Sequence, residues 1–270
     1  MFKESAKDIG DTSPCTQKQL SQVKTKVKKV ISDEFNSYWC EHVKSLAVQG
    51  RFLELLNLEK NNLTWRSISY NLPRNVLKFA VNASIDTLAT NANLKRWGKR
   101  TNARCSLCKG KETLHHALNY CSIMLPRYTW RHNSVLKYIY EILEMCECTY
   151  DINVDLPGLS KGVSTLPTDI LITNQRPDIF LVNRNDKTCI IAELTICFET
   201  NIQAAHERKQ GKYAPLSLDL ENRDYKVHMY TIEIGSRGFI DKCNEGKLKS
   251  FFRKATRSPP KWSDMKKNFI

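Results

Sequence analysis

The spacing of apolar residues predicts helices through the first 150 residues of the chain. In this part, apolar positions recur every three or four residues, which is the period of an amphipathic helix. The clearest apolar face is formed by Val23, Val27, Val30, Ile31 and Phe35, while Lys24, Lys26, Lys28 and Lys29 lie mainly on the other faces. We interpret these lysines as a solvated helix face. Further helices are predicted over 76–88, after the helix-breaking Pro73, and from Asn133 or Ser134 to Cys146.

From residue 151 the pattern changes to short runs rich in Ile, Val, Leu and Thr. Residues 151–167 contain glycines and prolines that predict turns or a linker. Strands are then predicted over 178–182, 188–198 and 227–234, and helices over 201–213 and 239–255. The order strand, strand, helix, strand, helix is typical of an α/β domain. We therefore predict an α+β protein with a helical N-terminal part and a C-terminal α/β domain.

The charge of the chain is concentrated in its first half. The 270 residues include 42 Lys and Arg against 28 Asp and Glu, a net charge of +14. Residues 1–150 hold 23 basic and 13 acidic residues, a net +10, and residues 151–270 hold 19 and 15, a net +4. Such a basic chain favours a polyanionic partner, most simply nucleic acid, and the alternative is a well-solvated basic surface. No apolar window approaches the length of a membrane span, so we expect no membrane partner.

Three of the ten cysteines are clustered with a histidine in one short segment. Cys105, Cys108, His116 and Cys121 follow the spacing C-x2-C-x7-H-x4-C. Structural zinc sites use four such nitrogen and sulfur donors in a tetrahedron, so we predict a structural zinc knuckle. His115 would point about 100° away from His116 on a helix, which is why we choose His116. The alternative is four residues that are unrelated to a metal.

Basic residues flank the predicted knuckle. They are Lys95, Arg96, Lys99, Arg100 and Arg104. Trp97 lies among them, and cations next to an aromatic ring suit phosphate contact combined with base stacking. The flank is therefore a candidate nucleic-acid surface, although Trp97 is equally compatible with a core position.

Two acidic residues are predicted to lie opposite each other in a hairpin. If the polar turn centres between Asn185 and Asp186, Asp178 pairs with Glu193 and both side chains project from the same face. Two like charges at such a position are destabilising unless something offsets them, and a Mg²⁺ ion held by both carboxylates would do so. A shift of one residue would move Glu193 to the opposite face, and the alternative is an edge strand with solvated acids.

A predicted helix after the hairpin carries candidate cations. Lys209 and Tyr213 are four residues apart and share a helical face, while Lys212 lies on a neighbouring face. A lysine near a metal-bound water or a scissile phosphate can orient the nucleophile and stabilise developing negative charge. The alternative is that both lysines are ordinary surface residues.

These motifs stand in one order along the chain. The order is the knuckle, Arg131-His132-Asn133, Arg176-Pro177-Asp178, Glu193, Lys209-x3-Tyr213 and Gly235-Ser-Arg-Gly238. Together they resemble the C-terminal region of site-specific non-LTR retrotransposon proteins that carry a restriction-like endonuclease. The resemblance covers residues 60–240 and implies a helical linker, a CCHC knuckle and a PD-(D/E)xK-type nuclease that nicks target DNA.

The resemblance implies a role for each matched residue. The zinc ligands would be the four knuckle residues, Asp178 and Glu193 would bind catalytic Mg²⁺, and Lys209 would be the displaced catalytic lysine. Lys212 would be the alternative candidate for the catalytic lysine, and Tyr213 would lie beside Lys209. Thr195 stands where the common (D/E)-x-K form has lysine, and the family variant with the lysine on the helix accommodates this. The family's Arg-His-Asp triplet is Arg-His-Asn here.

The chain is thus predicted to have three regions, and the resemblance implies that it is a nuclease. They are a basic helical linker region over 1–100, the knuckle and its following helix over 101–150, and a restriction-endonuclease-like domain over 151–270. We also assign Arg131 and Arg176 to nucleic-acid binding. The expected partner is DNA, with RNA as a further candidate, and the expected location is the nucleus. No reverse transcriptase palm is recognisable, so we expect a fragment or a stand-alone descendant of such an element.

Two alternatives come from other functional classes. One is a non-catalytic nucleic-acid-binding protein that keeps the zinc site and the basic surface. The other is an adaptor that binds protein through its amphipathic helices, supported by the apolar face over residues 23–35.

Overall fold

The computed structural model describes residues 16–46, 50, 72–159, 164–262 and 265. It confirms an α+β protein with a mixed four-stranded sheet and a cysteine–histidine cluster. The chain forms two compact units, residues 1–50 and 51–270. Residues 51–71 of the predicted linker region and 160–163 of the predicted turn segment lie outside the described residues. The finer division at residues 100 and 150 stays a prediction.

Unit 1 contains one long helix, α1, over Gln17–Ser45. Its start is fixed by a capping box, in which the Thr16 hydroxyl accepts from the Gln19 amide and the Gln19 side chain accepts from the Thr16 amide. The predicted helix around residues 23–35 is confirmed and extends further in both directions. No residue of α1 is buried.

Unit 2 begins with helical segments around the knuckle. They are α2 (Arg74–Ser84), α3 (Asn91–Arg96), a π-helical turn (His116–Tyr120), a 3-10 turn (Ser122–Met124) and α4 (Leu125–Met145). Helix α2 ends before the predicted residue 88 because the chain turns at Asp86, whose φ is +49°. Helix α4 begins at Leu125 rather than at Asn133 or Ser134. Its first turn contains Pro126, which is favourable there because the first amides of a helix need no intrahelical acceptor.

The sheet is built from four strands in the order β1-β2-β3-β4. They are β1 (Asp151–Val154), β2 (Ile179–Asn183), β3 (Thr188–Cys197) and β4 (Lys226–Gly235). Strands β1, β2 and β3 pair antiparallel, and β3 pairs parallel with β4. Strand β1 corrects the predicted linker over 151–167. Its four residues pair with β2, from Asp151 with Val182 to Val154 with Ile179, and this satisfies the backbone groups that face β2.

Two more helices complete unit 2, α5 (Ile202–Glu221) and α6 (Lys242–Ala255). The predicted end of α5 at residue 213 is wrong, because the helix continues through Pro215. The buried side chains of Leu216 and Leu220 on that last part offset the hydrogen bond that the proline cannot donate. Helix α6 starts three residues after the predicted Phe239 because Asp241 caps it, accepting from the Asn244 amide at 2.6 Å.

Apolar side chains cover both faces of the sheet. One face packs against α4 and α6 through residues such as Leu136, Ile190, Leu194, Ile232 and Phe251. The other packs against α5 through Phe180, Val182, Ile191, Tyr213 and Leu216. Because successive residues of a strand face opposite sides, the odd-numbered residues of β3 point towards α5. That places Glu193 on the α5 side. Among the described helices, none is long and apolar enough to cross a membrane.

Candidate functional site

The four predicted knuckle residues converge. The ligand atoms of Cys105, Cys108, His116 and Cys121 all lie within 4.8 Å of one another. Cys108 Sγ is 3.2 Å from His116 Nε2. The ring of His115 points elsewhere, with its centroid 4.4 Å from that of Phe198 and 4.5 Å from that of Tyr120. The cluster therefore contains His116 and not His115. Three thiols and one imidazole are the donor set of a structural zinc site, so this cluster could bind zinc.

A tight turn brings the two halves of the cluster together. The Cys105 amide donates to the Gly110 carbonyl at 2.6 Å, and Lys109 adopts a left-handed conformation with φ of +65°. A Cβ on Gly110 would lie 3.1 Å from His116 Cε1 and 3.5 Å from Cys108 Sγ. Glycine at this position therefore allows the loop to close on the histidine.

The electrostatics of the cluster favour a bound cation. The backbone amide of Cys108 is the main cause that lowers the pKa of Cys105 to about 7. Burial, together with the neighbouring Cys108 thiol, raises the pKa of Cys121. Several thiolates cannot share a buried site without compensation, because like charges disfavour one another's ionised form. A divalent cation supplies that compensation.

Helix α4 holds the knuckle in place. The Tyr128 hydroxyl accepts from the Cys121 amide at 3.2 Å and donates to the Ala117 carbonyl at 2.9 Å. Arg131 Nη2 donates to the Leu118 carbonyl at 3.0 Å, and burial lowers the pKa of Arg131. Arg131 thus links α4, on which it lies, to the knuckle, and its assigned role in nucleic-acid binding stays a prediction.

The knuckle also contacts the end of the sheet. Asn119 Nδ2 donates to the Ile196 carbonyl of β3 at 3.3 Å, and Asn201 Nδ2 donates to the Tyr120 hydroxyl at 3.2 Å. A cation that orders the knuckle would therefore also order contacts to the strand that carries Glu193.

The basic flank lies on the surface of unit 2. All five of its cations are exposed: Lys95, Arg96, Lys99, Arg100 and Arg104. Trp97 is 42% exposed, and Lys99 Nζ lies 6.0 Å from the centroid of its ring. Trp97 is therefore a surface aromatic and not a core residue.

The predicted hairpin register is confirmed. Ile179 pairs with Ala192, and Asn183 pairs with Thr188 at the turn end of the hairpin. Asp178 continues this pairing opposite Glu193. The Asp178 amide donates to Glu193 Oε2 at 3.2 Å, and the Leu194 amide donates to Asp178 Oδ2 at 2.7 Å. The two acids are thus neighbours at the edge where β2 begins.

Lys209 of α5 completes a three-residue cluster with the acids. Its Nζ forms a salt bridge with Glu193 Oε1. The Glu193 side chain is only 3% exposed and that of Lys209 is 20% exposed. Burial, with the nearby charge of Asp178, raises the pKa of Glu193, and the Lys209 ammonium opposes the increase. Two acids and one lysine from three elements therefore share one partly buried site.

Lys212 occupies a different position from Lys209. Its Nζ donates to the Tyr213 hydroxyl at 2.7 Å and lies 4.4 Å from the centroid of that ring. Tyr213 is fully buried, and its hydroxyl donates to the Arg176 carbonyl at 2.8 Å. Burial, followed by the charge of Glu193, raises the pKa of Tyr213. Lys209, not Lys212, is the lysine in contact with the Glu193 carboxylate.

Arg176 lies at the same edge of the sheet. Its guanidinium forms a salt bridge with Asp155 and its side chain is 44% exposed. The position is compatible with contact to a ligand at the site, and its assigned role in nucleic-acid binding stays a prediction.

The sequence analysis assigned no role to His132, which joins the site from α4. Its Nε2 is 3.3 Å from both Asp178 Oδ2 and the Leu194 carbonyl oxygen, and its Nδ1 is 3.1 Å from Asn133 Oδ1. Burial acts to lower the pKa of His132, but the hydrogen bond and charge of Asp178 outweigh it and raise the pKa to about 9. The sequence signal that could have identified His132 as a site residue is its place in the Arg-His-Asn triplet.

A second polar cluster was also missed by the sequence analysis. On β4, Thr231 pairs with Glu193 and Glu233 pairs with Thr195, so these residues extend the same face of the sheet. Glu233 Oε1 is 3.1 Å from His206 Nδ1, and Lys247 Nζ donates to Glu233 Oε2 at 2.8 Å. The side chain of Glu233 is 1% exposed, and its contacts with His206 and with the Lys247 ammonium compensate its burial.

Comparison with known proteins gives no family for this chain. No protein-family model matches it, and no curated protein matches it significantly. What is established is an α+β unit with a cysteine–histidine cluster and a separate pair of acids in contact with a lysine.

Proposed function

We propose that this chain is a Mg²⁺-dependent DNA endonuclease module of the PD-(D/E)xK type that introduces nicks, derived from a non-LTR retrotransposon. The observation that carries the proposal is the meeting of Asp178, Glu193 and Lys209 at one edge of the sheet. The side chains of the two neighbouring acids are largely buried at that edge, with Glu193 3% and Asp178 13% exposed. Apolar packing alone does not require two carboxylates at such a position, and a divalent cation would offset their repulsion.

The oxygen donors at the edge fit a hard cation. Asp178 and Glu193 offer carboxylate oxygens, and Mg²⁺ is typically bound by one or two carboxylates together with substrate phosphate. When bound, such an ion polarises the scissile phosphate and lowers the pKa of a coordinated water. The two residues would be its protein ligands. Relief of their mutual repulsion would supply part of the binding free energy.

Lys209 supplies the positive charge that hydrolysis of a phosphodiester needs. Its ammonium contacts Glu193 and remains partly exposed, so it is open to solvent on one side. From that position it orients an attacking water and stabilises negative charge that develops on the phosphate oxygens. His132, hydrogen-bonded to Asp178 Oδ2, holds that carboxylate in one orientation.

The knuckle and its flank would hold the nucleic acid. In this proposal zinc in the knuckle is structural, because all four of its ligands come from the protein. The exposed cations at 95–104 contact phosphates, and Trp97 offers a stacking surface for a base. Such a division separates the binding of DNA or RNA from the cutting of DNA. A DNA substrate would place the protein in the nucleus.

A plasmid-nicking assay tests the proposal. We expect the zinc-loaded protein to convert supercoiled plasmid to open circles with Mg²⁺ and not with Ca²⁺ or chelator. Asp178→Ala, Glu193→Gln and Lys209→Ala should each reduce the rate by about a hundredfold or more, the scale of lost electrostatic stabilisation in a catalytic site. Lys212→Ala should retain activity, because Lys212 contacts Tyr213 and not the acids.

The matched control is Glu207→Gln. Glu207 is an exposed acid on α5, the helix that carries Lys209, and it accepts a hydrogen bond from the Gln203 side chain at 2.7 Å. The Glu207→Gln substitution removes one negative charge, as Glu193→Gln does, and should leave the nicking rate unchanged. Full cutting by Glu193→Gln, with circular dichroism showing native folding of every variant, would exclude the carboxylate pair from catalysis.

A non-catalytic nucleic-acid-binding protein is the second candidate. The observation that favours it is the complete pairing of Glu193, whose Oε1 is bound to Lys209 and whose Oε2 accepts from the Asp178 amide. In that case the protein binds DNA or RNA in a gel-shift assay at low salt but no metal supports nicking. Binding should then weaken for charge-removing variants of the 95–104 flank and be unaffected by Asp178→Ala.

A further inference from the structure

Helix α1 exposes an apolar face along most of its length. Val27, Ile31 and Phe35 are 50%, 61% and 61% exposed, and no residue of the helix is buried. Tyr38 and Trp39 continue the exposed apolar surface beyond Phe35 and contact each other edge to edge, with ring centroids 5.9 Å apart. Neither the proposed nuclease site nor the knuckle uses these residues.

An amphipathic helix of this kind is stabilised by whatever covers its apolar face. The 29 residues of α1 span about 43 Å at the usual rise of 1.5 Å per residue. Its apolar positions are largely β-branched, Val23, Val27, Val30 and Ile31, which have lower helix propensity than leucine or alanine. In proteins, most helix stability comes from packing of such a face and not from propensity. A partner surface is therefore expected.

The charges of α1 are divided between its two halves. The first half, residues 17–31, contains five lysines and no acid: Lys18, Lys24, Lys26, Lys28 and Lys29. The second half, residues 32–45, contains three acids and one lysine: Asp33, Glu34, Glu41 and Lys44. Glu34 and Glu41 follow Val27 at seven-residue intervals, so they lie on the apolar face itself.

We propose that two copies of this chain pair through α1 in antiparallel orientation. The charge pattern identifies the partner as a second copy, because an antiparallel pair sets the basic half of each helix beside the acidic half of the other. A parallel pair would place five lysines beside five lysines and would press Glu34 and Glu41 against their counterparts. The opposite charges of the two halves also fix the orientation of the two helices.

Sedimentation of the full chain tests the pairing and its orientation together. The sample is zinc-loaded and freed of nucleic acid, and the dimer constant is measured at about 0.1 M and about 0.5 M NaCl, between which charge screening changes markedly. We expect a reversible dimer that weakens as the salt concentration rises, because salt screens the attraction between opposite halves. A monomer at all concentrations overturns the proposal. A dimer that tightens with salt overturns the antiparallel arrangement.

Matched variants separate the apolar face from general charge effects. Val27→Asp adds one negative charge on the apolar face and should weaken the dimer by at least about tenfold, since each interface receives two such charges. Asn36→Asp adds the same charge on the opposite side of the helix and should leave the dimer constant unchanged. Equal effects of the two variants would contradict pairing through this face.

A charge reversal at the two acids leaves every apolar residue of the face unchanged. The double variant Glu34→Lys, Glu41→Lys makes both halves basic while retaining good helix formers. It should weaken the dimer at low salt, and the defect should shrink at high salt. Nicking by these variants is measured in parallel, so failure of the dimer and failure of the nuclease are distinguishable. A dimer that is insensitive to the double variant would refute the role of charge complementarity.

Discussion

The contact between His132 and Asp178 gives a quantitative prediction about the site. The His132 pKa of about 9 exceeds the ordinary value for histidine of about 6.5. At about 1.4 kcal/mol per pKa unit, this difference corresponds to about 3 kcal/mol of preference for the charged form. Because the His132 side chain is 26% exposed, solvent screening reduces the contribution to stability to about 2 kcal/mol.

The sign of the pH dependence follows from the raised pKa. The stabilisation is fully present below about pH 6.5, where His132 is charged in both the folded and the unfolded chain. It is lost as the pH rises towards about 9, where the folded protein gives up the proton. Asp178→Asn removes the counter-charge and leaves the burial, so the pKa of His132 should then fall below its ordinary value.

Nuclear magnetic resonance of the histidine rings measures this directly. Wild type and Asp178→Asn are titrated, and His132→Asn assigns the signal. His228 is the internal control, because burial, followed by Lys254 and Lys226, lowers its pKa, and its titration should be unchanged in Asp178→Asn. A wild-type midpoint for His132 at or below 6.5 would refute the reasoning.

The same titration bears on the proposed metal site. If Asp178 binds Mg²⁺, the cation competes with the His132 charge, and adding Mg²⁺ should lower the His132 pKa in wild type but not in Asp178→Asn. An identical His132 titration with and without saturating Mg²⁺ would remove Asp178 from the set of metal ligands.

Four further substitutions test zinc binding and packing. Cys108→Ser should reduce the zinc content of the purified protein to near zero by elemental analysis, because it removes one of four ligands. Gly235→Ala should lower the free energy of unfolding by about 1–3 kcal/mol in denaturant titrations, since its Cβ would lie 2.5 Å from Glu199 Oε1. Gly211→Ala should raise the free energy of unfolding by up to about 1 kcal/mol, because a Cβ at this position of α5 meets open space. Phe251→Ala should cost about 3–5 kcal/mol in the same assay because its ring is fully buried.

Local signals explain why the hairpin and the knuckle were predicted correctly. The hairpin register depends on one polar turn and on alternation within two adjacent strands, so Ile179 opposite Ala192 follows from nearby sequence. The four knuckle residues fall within seventeen positions, and their spacing alone brings them together. In both cases the interacting groups are close in sequence, where pattern rules are strongest.

Long-range packing explains the elements that were predicted wrongly. Strand β1 has four residues, too few for a clear alternation, and its partner β2 comes about 25 residues later. Pro215 marks a helix end by local rules, but burial of Leu216 and Leu220 against the sheet carries α5 onwards. His132 was missed for the same reason, because Asp178 is 46 residues away in sequence. Only the tertiary fold brings these residues together.

For the proposed nuclease, the fold also gives a physical reason why the catalytic lysine would lie on the helix instead of on the strand. Thr195 lies two residues after Glu193 on the face that α5 covers, and it pairs with the buried Glu233 of β4. The Thr195 hydroxyl is buried, with no hydrogen-bond partner among the residues that the structure describes. A lysine there would compete with Lys247 for Glu233 beneath the helix. Lys209 instead approaches Glu193 from α5 and keeps part of its side chain in solvent, where a substrate phosphate would arrive.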